Sequence, residues 1–182
     1  MTNIIFVGRM GSGKTTLAHQ LVDNYGYTMW PSMTTRPMRP GEVDGIDYMF
    51  VNDEQFTSSA AYGYITAVRE YQTEQGLWRY GFPIPPDENT VSILDPKGLS
   101  EVIDRIPDPY GVFVDTDPDI CRYRALTRGD DPNEILRRMD RDEDEFNEFA
   151  QVFMDFCKLR IGKKRTPEED AERIIRYVRA NK

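Results

Sequence analysis

The stretch that decides the fold is Gly8-Arg9-Met10-Gly11-Ser12-Gly13-Lys14-Thr15. It reads G-x-x-x-x-G-K-[ST], with the apolar run Ile4–Val7 before it and a helical pattern at Thr15–Asn24 after it. A strand, a glycine-rich turn and a helix in this order turn backbone N–H groups toward phosphate oxygens, at the positive end of the helix. The sequence therefore predicts a binding site for a nucleoside triphosphate.

The polar groups of this loop have separate expected roles. Lys14 would reach the β- and γ-phosphates, and the Thr15 hydroxyl would coordinate Mg²⁺. A glycine turn without a ligand is the competing interpretation, and the strand and helix that flank the loop disfavour it. The predicted triphosphate-binding residues of this segment are Gly8, Gly11, Ser12, Gly13, Lys14, Thr15 and Thr16.

Composition narrows the class of protein. A chain of 182 residues with 39% hydrophobic and 30% charged residues is typical of a single globular domain. The net charge of −8 disfavours general affinity for nucleic acid, and no apolar stretch approaches the ~20 residues of a membrane span. Two cysteines, expected to be free thiols, and one histidine leave no metal-ligand cluster. We expect a cytoplasmic protein without membrane or nucleic-acid partners.

Alternating strand and helix patterns predict a parallel α/β sheet. The predicted strands are Ile4–Val7, Thr90–Leu94, Gly111–Asp115 and Phe156–Ile161. The predicted helices are Thr15–Asn24, Lys97–Arg105, Pro118–Thr127, Pro132–Phe153 and Pro167–Ala180, and the acidic run 140–145 is expected on a solvated helix face. Residues 32–89 interrupt the alternation, and short strand patterns at Tyr48–Val51, Gly63–Tyr71 and Leu77–Phe82 predict an inserted lobe of mostly antiparallel strands.

The segment TTRPMRPGEVDGIDYMFV at residues 34–51 strongly resembles the acceptor-binding segment of guanylate kinases. Arg36 and Arg39, three residues apart, can hold a phosphate through forked, charge-assisted hydrogen bonds, and Tyr48 can donate a phenolic hydrogen bond to it. A solvated Arg-Pro loop packed by an aromatic ring is the competing interpretation. The phosphate-binding loop in the same chain favours the acceptor site.

Later segments extend the resemblance. Tyr80-Gly81 resembles the second phosphate-contacting tyrosine of the family, and Ile93-Leu94-Asp95 resembles the strand whose aspartate lies near the metal. A plain helix cap before Lys97 is the competing interpretation of Asp95. Arg124-Ala125-Leu126-Thr127-Arg128-Gly129 resembles the family's lid, and Arg138 matches the arginine beyond it. Such arginines would offset charge on the transferred phosphoryl group.

The resemblance implies an α/β fold: a P-loop NTPase three-layer core with a parallel sheet, plus an inserted nucleotide-monophosphate-binding lobe and a lid. In a single domain spanning 1–182, it implies a core of 1–31, 90–127 and 134–182, a lobe of 32–89, and a lid of 128–133 with the character of a mobile loop. The implied catalytic residues are Lys14, Arg36, Asp95, Arg128 and Arg138, and Arg124 and Arg128 would add contacts to the triphosphate. The implied acceptor-binding residues are Ser32, Arg36, Arg39, Tyr48, Glu70, Tyr80 and Gly81, and the metal would be held by Thr15 and Asp95.

The positions that read the acceptor base depart from the family. Guanylate kinases typically read guanine with a serine or threonine and two carboxylates, and Ser32 matches the hydroxyl. The first carboxylate position falls on Thr66 or Ala67, and the second falls on Lys97. Because a buried donor without its acceptor costs about 1–3 kcal/mol, either another acid such as Glu70 or Glu74 substitutes, or the acceptor base is not guanine.

The expected function is that of a nucleoside monophosphate kinase that uses ATP and Mg²⁺ to phosphorylate GMP or dGMP, as a monomer or a homodimer. One alternative is the same reaction on another or modified (deoxy)nucleoside monophosphate. A second is a non-catalytic guanylate-kinase-like interaction module, which the retained Lys14 and lid arginines disfavour. A third is a kinase that acts on a base within DNA, which the acidic composition disfavours.

Overall fold

A five-stranded parallel sheet forms the centre of the protein, as a computed structural model that describes residues 2–73, 75–162 and 165–181 shows. Its strands lie in the order β2-β7-β1-β8-β9, so the strand that precedes the phosphate loop is central and buried. The strands are β1 (Asn3–Val7), β2 (Thr28–Met29), β7 (Thr90–Ile93), β8 (Pro109–Val114) and β9 (Cys157–Ile161). The four predicted core strands are confirmed, and β2 is added.

Helices cover both faces of this sheet and give it three layers. The helices are α1 (Lys14–Tyr25), α2 (Asp53–Ala61), α3 (Pro96–Val102), α4 (Pro118–Arg128), α5 (Pro132–Glu148), α6 (Ala150–Phe156) and α7 (Pro167–Ala180). On one face α1 and α7 pack against the sheet, with Leu21 and Ile174 fully buried between them. On the other face α3, α5 and α6 bury Leu99, Phe146 and Phe153. The predicted three-layer α/β core is confirmed.

Residues 33–83 contribute a second sheet beside the core. Its strands are β3 (Met33–Thr34), β4 (Met49–Phe50), β5 (Ile65–Thr73) and β6 (Gly76–Pro83), in the order β4-β3-β6-β5. Antiparallel pairing joins β5 to β6 and β3 to β6, and β3 pairs with β4 in parallel. The prediction of mostly antiparallel strands is therefore confirmed, and the assignment of 32–89 as a separate lobe stays a prediction.

Two local predictions need correction, and one helix is additional. The predicted helix Pro132–Phe153 is broken at Phe149, which leaves α5 with φ −104° and ψ 19° so that α6 can bury Phe153 and Phe156. The predicted loop at 128–133 is reduced to a turn at 129–131, because α4 ends at Arg128 and Pro132 begins α5. Helix α2, which the sequence analysis did not predict, begins at a capping box formed by Asn52 and Gln55.

In the part of the chain that the structure describes, no helix has the length and apolarity that crossing a bilayer requires.

Candidate active site

The phosphate loop connects β1 to α1, and its shape depends on three glycines. Gly13 precedes the first residue of α1 with φ +103°, and Gly11 has φ +70°, a conformation that favours glycine. Gly8 lies so close to β8 that a Cβ there would approach the Val114 carbonyl oxygen to 2.6 Å. The backbone of the loop therefore curls tightly against the core at the N-terminus of α1, which is a ready site for an anion.

Lys14 lies folded over this loop. Its ammonium group donates to the carbonyl oxygens of Gly8 and Arg9, each at 2.6 Å. Burial is the main cause that lowers the pKa of Lys14 to about 8. Next to it, Thr15 and Thr16 are exposed in the first turn of α1.

Arg124 is the arginine of α4 that contacts the phosphate loop directly. Its guanidinium donates to the Ser12 carbonyl oxygen at 3.2 Å, and the Thr116 hydroxyl donates to the same oxygen at 2.8 Å. Arg128, at the end of α4, pairs with Asp130 in the following turn. The structure thus places Arg124 on the loop and Arg128 at the edge of the site, half-exposed.

Arg36 is the most buried charged group of the predicted acceptor site. It is 3% exposed and forms a forked pair with Glu42, whose oxygens lie 3.0 and 2.7 Å from the two terminal nitrogens. Its guanidinium also lies over the rings of Tyr48 and Phe50, 5.2 and 5.4 Å from their centroids. Arg36 is therefore not solvated, whereas the packing against aromatic rings that the competing interpretation included is observed, and the adjoining Pro37 and Met38 are exposed.

Three arginines converge between the second sheet and α5. Arg39 is near both Arg36 and Arg138, and burial together with these two positive neighbours lowers the pKa of Arg39. Arg138 reaches this place from α5, where Glu134 accepts a hydrogen bond from it at 2.8 Å. Glu42, Asp130 and Glu134 offset part of this positive charge, and the arginines together offer forked donors that suit a phosphate.

Tyr48 and Tyr80 stand side by side next to Arg36. Their rings make an edge-on contact with centroids 5.9 Å apart, and Tyr80 contacts Tyr71 in the same manner at 5.6 Å. Burial raises the pKa of Tyr48, so its phenol stays protonated and able to donate. Gly81 is buried against Ile65, and half-buried Ser32 accepts the Met49 N–H at its backbone carbonyl at 2.9 Å.

The positions expected to read the base hold no carboxylate. Ala67 lies in a β-bulge of β5 with φ +50°, Thr66 accepts a hydrogen bond from Arg105 at 2.7 Å, and Lys97 is exposed. Glu70 is 3.1 Å from Arg79, an arginine whose guanidinium lies 4.5 Å from the ring centroid of Phe56 in α2. Glu74 lies outside the described residues.

Arg69 connects the second sheet to the core sheet close to these positions. It neighbours Glu70 on β5, where successive side chains take opposite faces, and it pairs with Asp95 at the end of the core sheet. Asp95 also caps α3 by accepting the Gly98 N–H at 2.6 Å. The structure therefore brings Asp95 into an ion pair between the two sheets and holds Glu70 on the side of α2.

Sequence reasoning missed several buried acids. Asp142 and Glu145 were expected on a solvated face, and they are only 9% and 8% exposed. Burial first, and the negative charge of Asp95 second, raises the pKa of Glu145 to about 7. Glu42 was also missed as the partner of Arg36. The position of Glu42, six residues after Arg36, is a weak signal for this pairing. For Asp142 and Glu145, the helical spacing to Ile135 and Phe146 could have indicated a face that points toward the core.

Known proteins similar to this chain are guanylate kinases. A family model described as guanylate kinase matches residues 1–73. Guanylate kinases of Streptococcus agalactiae and Streptococcus pyogenes are 32% identical over 154 residues, which cover 78% of this chain and 71% of each relative. The fold resembles that of a guanylate kinase from Anaplasma phagocytophilum, with a TM-score of 0.68 at 23% identity over 99% of this chain and 85% of the other.

Proposed function

Because the chain belongs to the guanylate kinase family, we propose that it transfers the γ-phosphoryl group of ATP to GMP or dGMP. The observation that carries this proposal is the convergence of Arg36 and Arg39 from the second sheet with Arg138 from α5. Arg36 and Arg138 are each paired with one carboxylate, Glu42 and Glu134, and a phosphate bound where the three arginines meet would gain further charge-assisted hydrogen bonds. Family membership supports a nucleoside monophosphate as that anion, and the phosphate loop would supply a second site for the donor.

Each part of the site then has a task. Lys14 and Arg124 would hold the triphosphate on the loop, and Arg36, Arg39, Tyr48 and Tyr80 would hold the acceptor phosphate in line with it. Arg128 and Arg138 would offset the charge that moves with the phosphoryl group. Transfer of this kind depends on positioning and on electrostatic stabilisation, so it requires no nucleophilic side chain.

Mg²⁺ belongs to this proposal as the companion of ATP. The described residues contain no group of three His, Cys, Asp or Glu side chains that could hold a metal by themselves. A phosphate-loop site does not need one, since a threonine hydroxyl and phosphate oxygens supply the ligands. The exposed Thr15 fits that role, and Asp95, one-third exposed, would act from beside it. When bound, Mg²⁺ neutralises part of the phosphate charge.

The acceptor base is the part of the proposal on which the family and the residues of this chain differ. GMP or dGMP is the substrate that the family supports, and another or modified (deoxy)nucleoside monophosphate is favoured only by the missing carboxylates at positions 66, 67 and 97. The two cysteines, both free thiols, fit the reducing cytoplasm proposed as the location.

The proposal is tested by measuring ADP release from ATP with and without GMP. We expect release that depends on GMP in the wild type, and a loss of at least about a hundredfold in Lys14→Met, since removal of one preorganised cation costs on that order. Lys158→Met, which changes an exposed lysine on the edge strand β9, is the matched control and should retain activity. A Lys14→Met protein as active as this control would refute the assignment of the donor site.

A further inference from the structure

One buried carboxylate contacts the phosphate loop from the far end of the sequence. Asp142, on α5, accepts the backbone N–H of Met10 through Oδ2 at 2.7 Å, although the two residues are 132 positions apart. Asp142 is 9% exposed, and none of the roles given above to the lid or to the acceptor site involves it. Met10 is the third residue of the loop that begins at Gly8, so this hydrogen bond acts on the part of the chain that holds the donor.

A second contact joins the same two elements. The guanidinium of Arg9 lies over the ring of Phe146, 5.0 Å from its centroid. Phe146 is 6% exposed and packs against Phe113 and Phe153 in the core. Because Asp142 and Phe146 are four residues apart on one helix, they lie on the same face of α5. Consecutive loop residues therefore dock on consecutive turns of a helix that is anchored in the core.

The same helix carries an arginine of the proposed transfer site. Arg138 precedes Asp142 by four residues, which places it about 6 Å away along the axis and on the same face. Glu134 holds Arg138 one turn further back, at 2.8 Å. Along α5, the arginine that faces the acceptor arginines and the carboxylate that holds the phosphate loop are thus rigidly spaced.

A carboxylate at this place carries an electrostatic cost. Its negative charge repels a polyphosphate bound on the loop, so Asp142 weakens rather than strengthens the binding of ATP. An asparagine would offer Met10 an acceptor oxygen without that repulsion, although a charged acceptor makes the stronger hydrogen bond. Part of the repulsion is offset because the charge of Asp142 raises the pKa of Lys14 and so favours its charged form. The benefit that an asparagine could also supply lies in geometry, in the alignment of loop and helix.

On the basis of the function proposed above, we infer that Asp142 is a positioning residue that ties the phosphate loop to α5 and thereby sets Arg138 relative to the donor. Loss of the tie lets the loop and α5 shift relative to each other. A displacement of about 1 Å in a transfer site costs on the order of a hundredfold in rate. The effect falls on kcat, because ATP itself is held by the loop and not by Asp142.

The test compares Asp142→Ala and Asp142→Asn by kcat and by ATP affinity from calorimetry. We expect Asp142→Ala to lose roughly ten- to a hundredfold in kcat while it binds ATP as tightly as the wild type or more tightly. Asp142→Asn, which keeps an acceptor for Met10, should lose less than about threefold. Glu143→Ala, at an exposed neighbour on the same helix, is the matched control and should be unchanged.

A merely structural role for Asp142 gives a different pattern. Loss of a merely structural residue would weaken ATP binding in proportion to the lost stability, and Asp142→Asn would be as impaired as Asp142→Ala. Either this pattern or a kcat of Asp142→Ala within about twofold of the wild type overturns the inference. Combination with Arg138→Ala adds a second readout, because a residue that acts through Arg138 has little further effect once Arg138 is gone. Fully additive losses would contradict the inference. Absence of GMP-dependent turnover in the wild type would instead refute the proposed function.

Discussion

Removal of Arg36 should separate what this residue does for stability from what it does for the acceptor. The substitution Arg36→Met keeps an unbranched apolar stem and removes the guanidinium. It leaves Glu42, whose side chain is only 18% exposed, without its forked partner. It also ends the contacts of the guanidinium with the Tyr48 and Phe50 rings. The variant therefore disturbs the fold of the segment and the proposed phosphate site together.

The two effects have different magnitudes. Breaking a buried ion pair by removing one partner costs about 3–5 kcal/mol of unfolding free energy, and the partial exposure of Glu42 favours the lower end. Loss of one charge-assisted hydrogen bond to the acceptor phosphate costs about 1.5–3 kcal/mol. Since each 1.36 kcal/mol is a factor of ten, kcat/KM for GMP should fall roughly 10- to 150-fold.

The double variant Arg36→Met/Glu42→Gln distinguishes the two effects. Replacing both partners removes the uncompensated carboxylate and should recover most of the lost unfolding free energy, measured by urea titration. Activity with GMP should stay low, whereas ATP affinity should stay near that of the wild type in both variants. Arg176→Met, which breaks an exposed pair with Glu172, is the control and should change stability by no more than about 0.5 kcal/mol. Recovery of GMP activity in the double variant, or an equal loss of ATP affinity, would refute the reasoning.

Three further predictions concern the donor side and the buried acids. Arg128→Ala should lower kcat by roughly a thousandfold with little change in the KM for GMP, and a rise in KM alone would contradict the charge-offsetting role proposed for this residue at the end of α4. The pKa of Glu145 is raised from 4.5 to about 7, so the folded protein keeps a proton that the unfolded chain loses, and the unfolding free energy should fall as pH rises from 4.5 to 7. Urea titrations should show a smaller fall in Glu145→Gln. Equal slopes of unfolding free energy against pH in the two proteins would contradict this prediction. Chelation of divalent cations should stop ADP release and excess Mg²⁺ should restore it, with Thr15→Val needing more Mg²⁺ than the wild type; turnover that persists in EDTA would exclude the metal from the proposal.

The sequence predicted the core well because its signals are local. Apolar runs and their alternation with helical spacing follow directly from burial on both faces of a parallel sheet. Helix α2 escaped because only Phe56 of its residues is buried, so it has no apolar stripe, although Asn52 and Gln55 formed a readable capping box. The break at Phe149 escaped because it depends on where Phe153 and Phe156 find space against the sheet, which is a tertiary property.

In the candidate site, too, the residues close together in the sequence were predictable and the long-range contacts were not. Arg36, Arg39 and Tyr48 stand in one short segment, and the sequence could indicate their common purpose. The Arg69–Asp95 pair and the Asp142–Met10 hydrogen bond join residues far apart in the chain, and only the fold brings them together. Glu70 is the opposite case, a residue that the fold separates from the place its sequence position suggested. Its sequence position suggested the base site, whereas the alternation of side chains along β5 puts it beside Arg79.

The most direct test of the central claim is the rate of ADP release from ATP across a panel of acceptors: GMP, dGMP, IMP, AMP, CMP, UMP and duplex DNA. We expect turnover with GMP and dGMP well above that with the other monophosphates, and none above background with DNA. If none of these acceptors supports turnover, the assignment as a kinase is contradicted. Turnover confined to a base other than guanine would contradict the proposed acceptor and leave the two-nucleotide site in place.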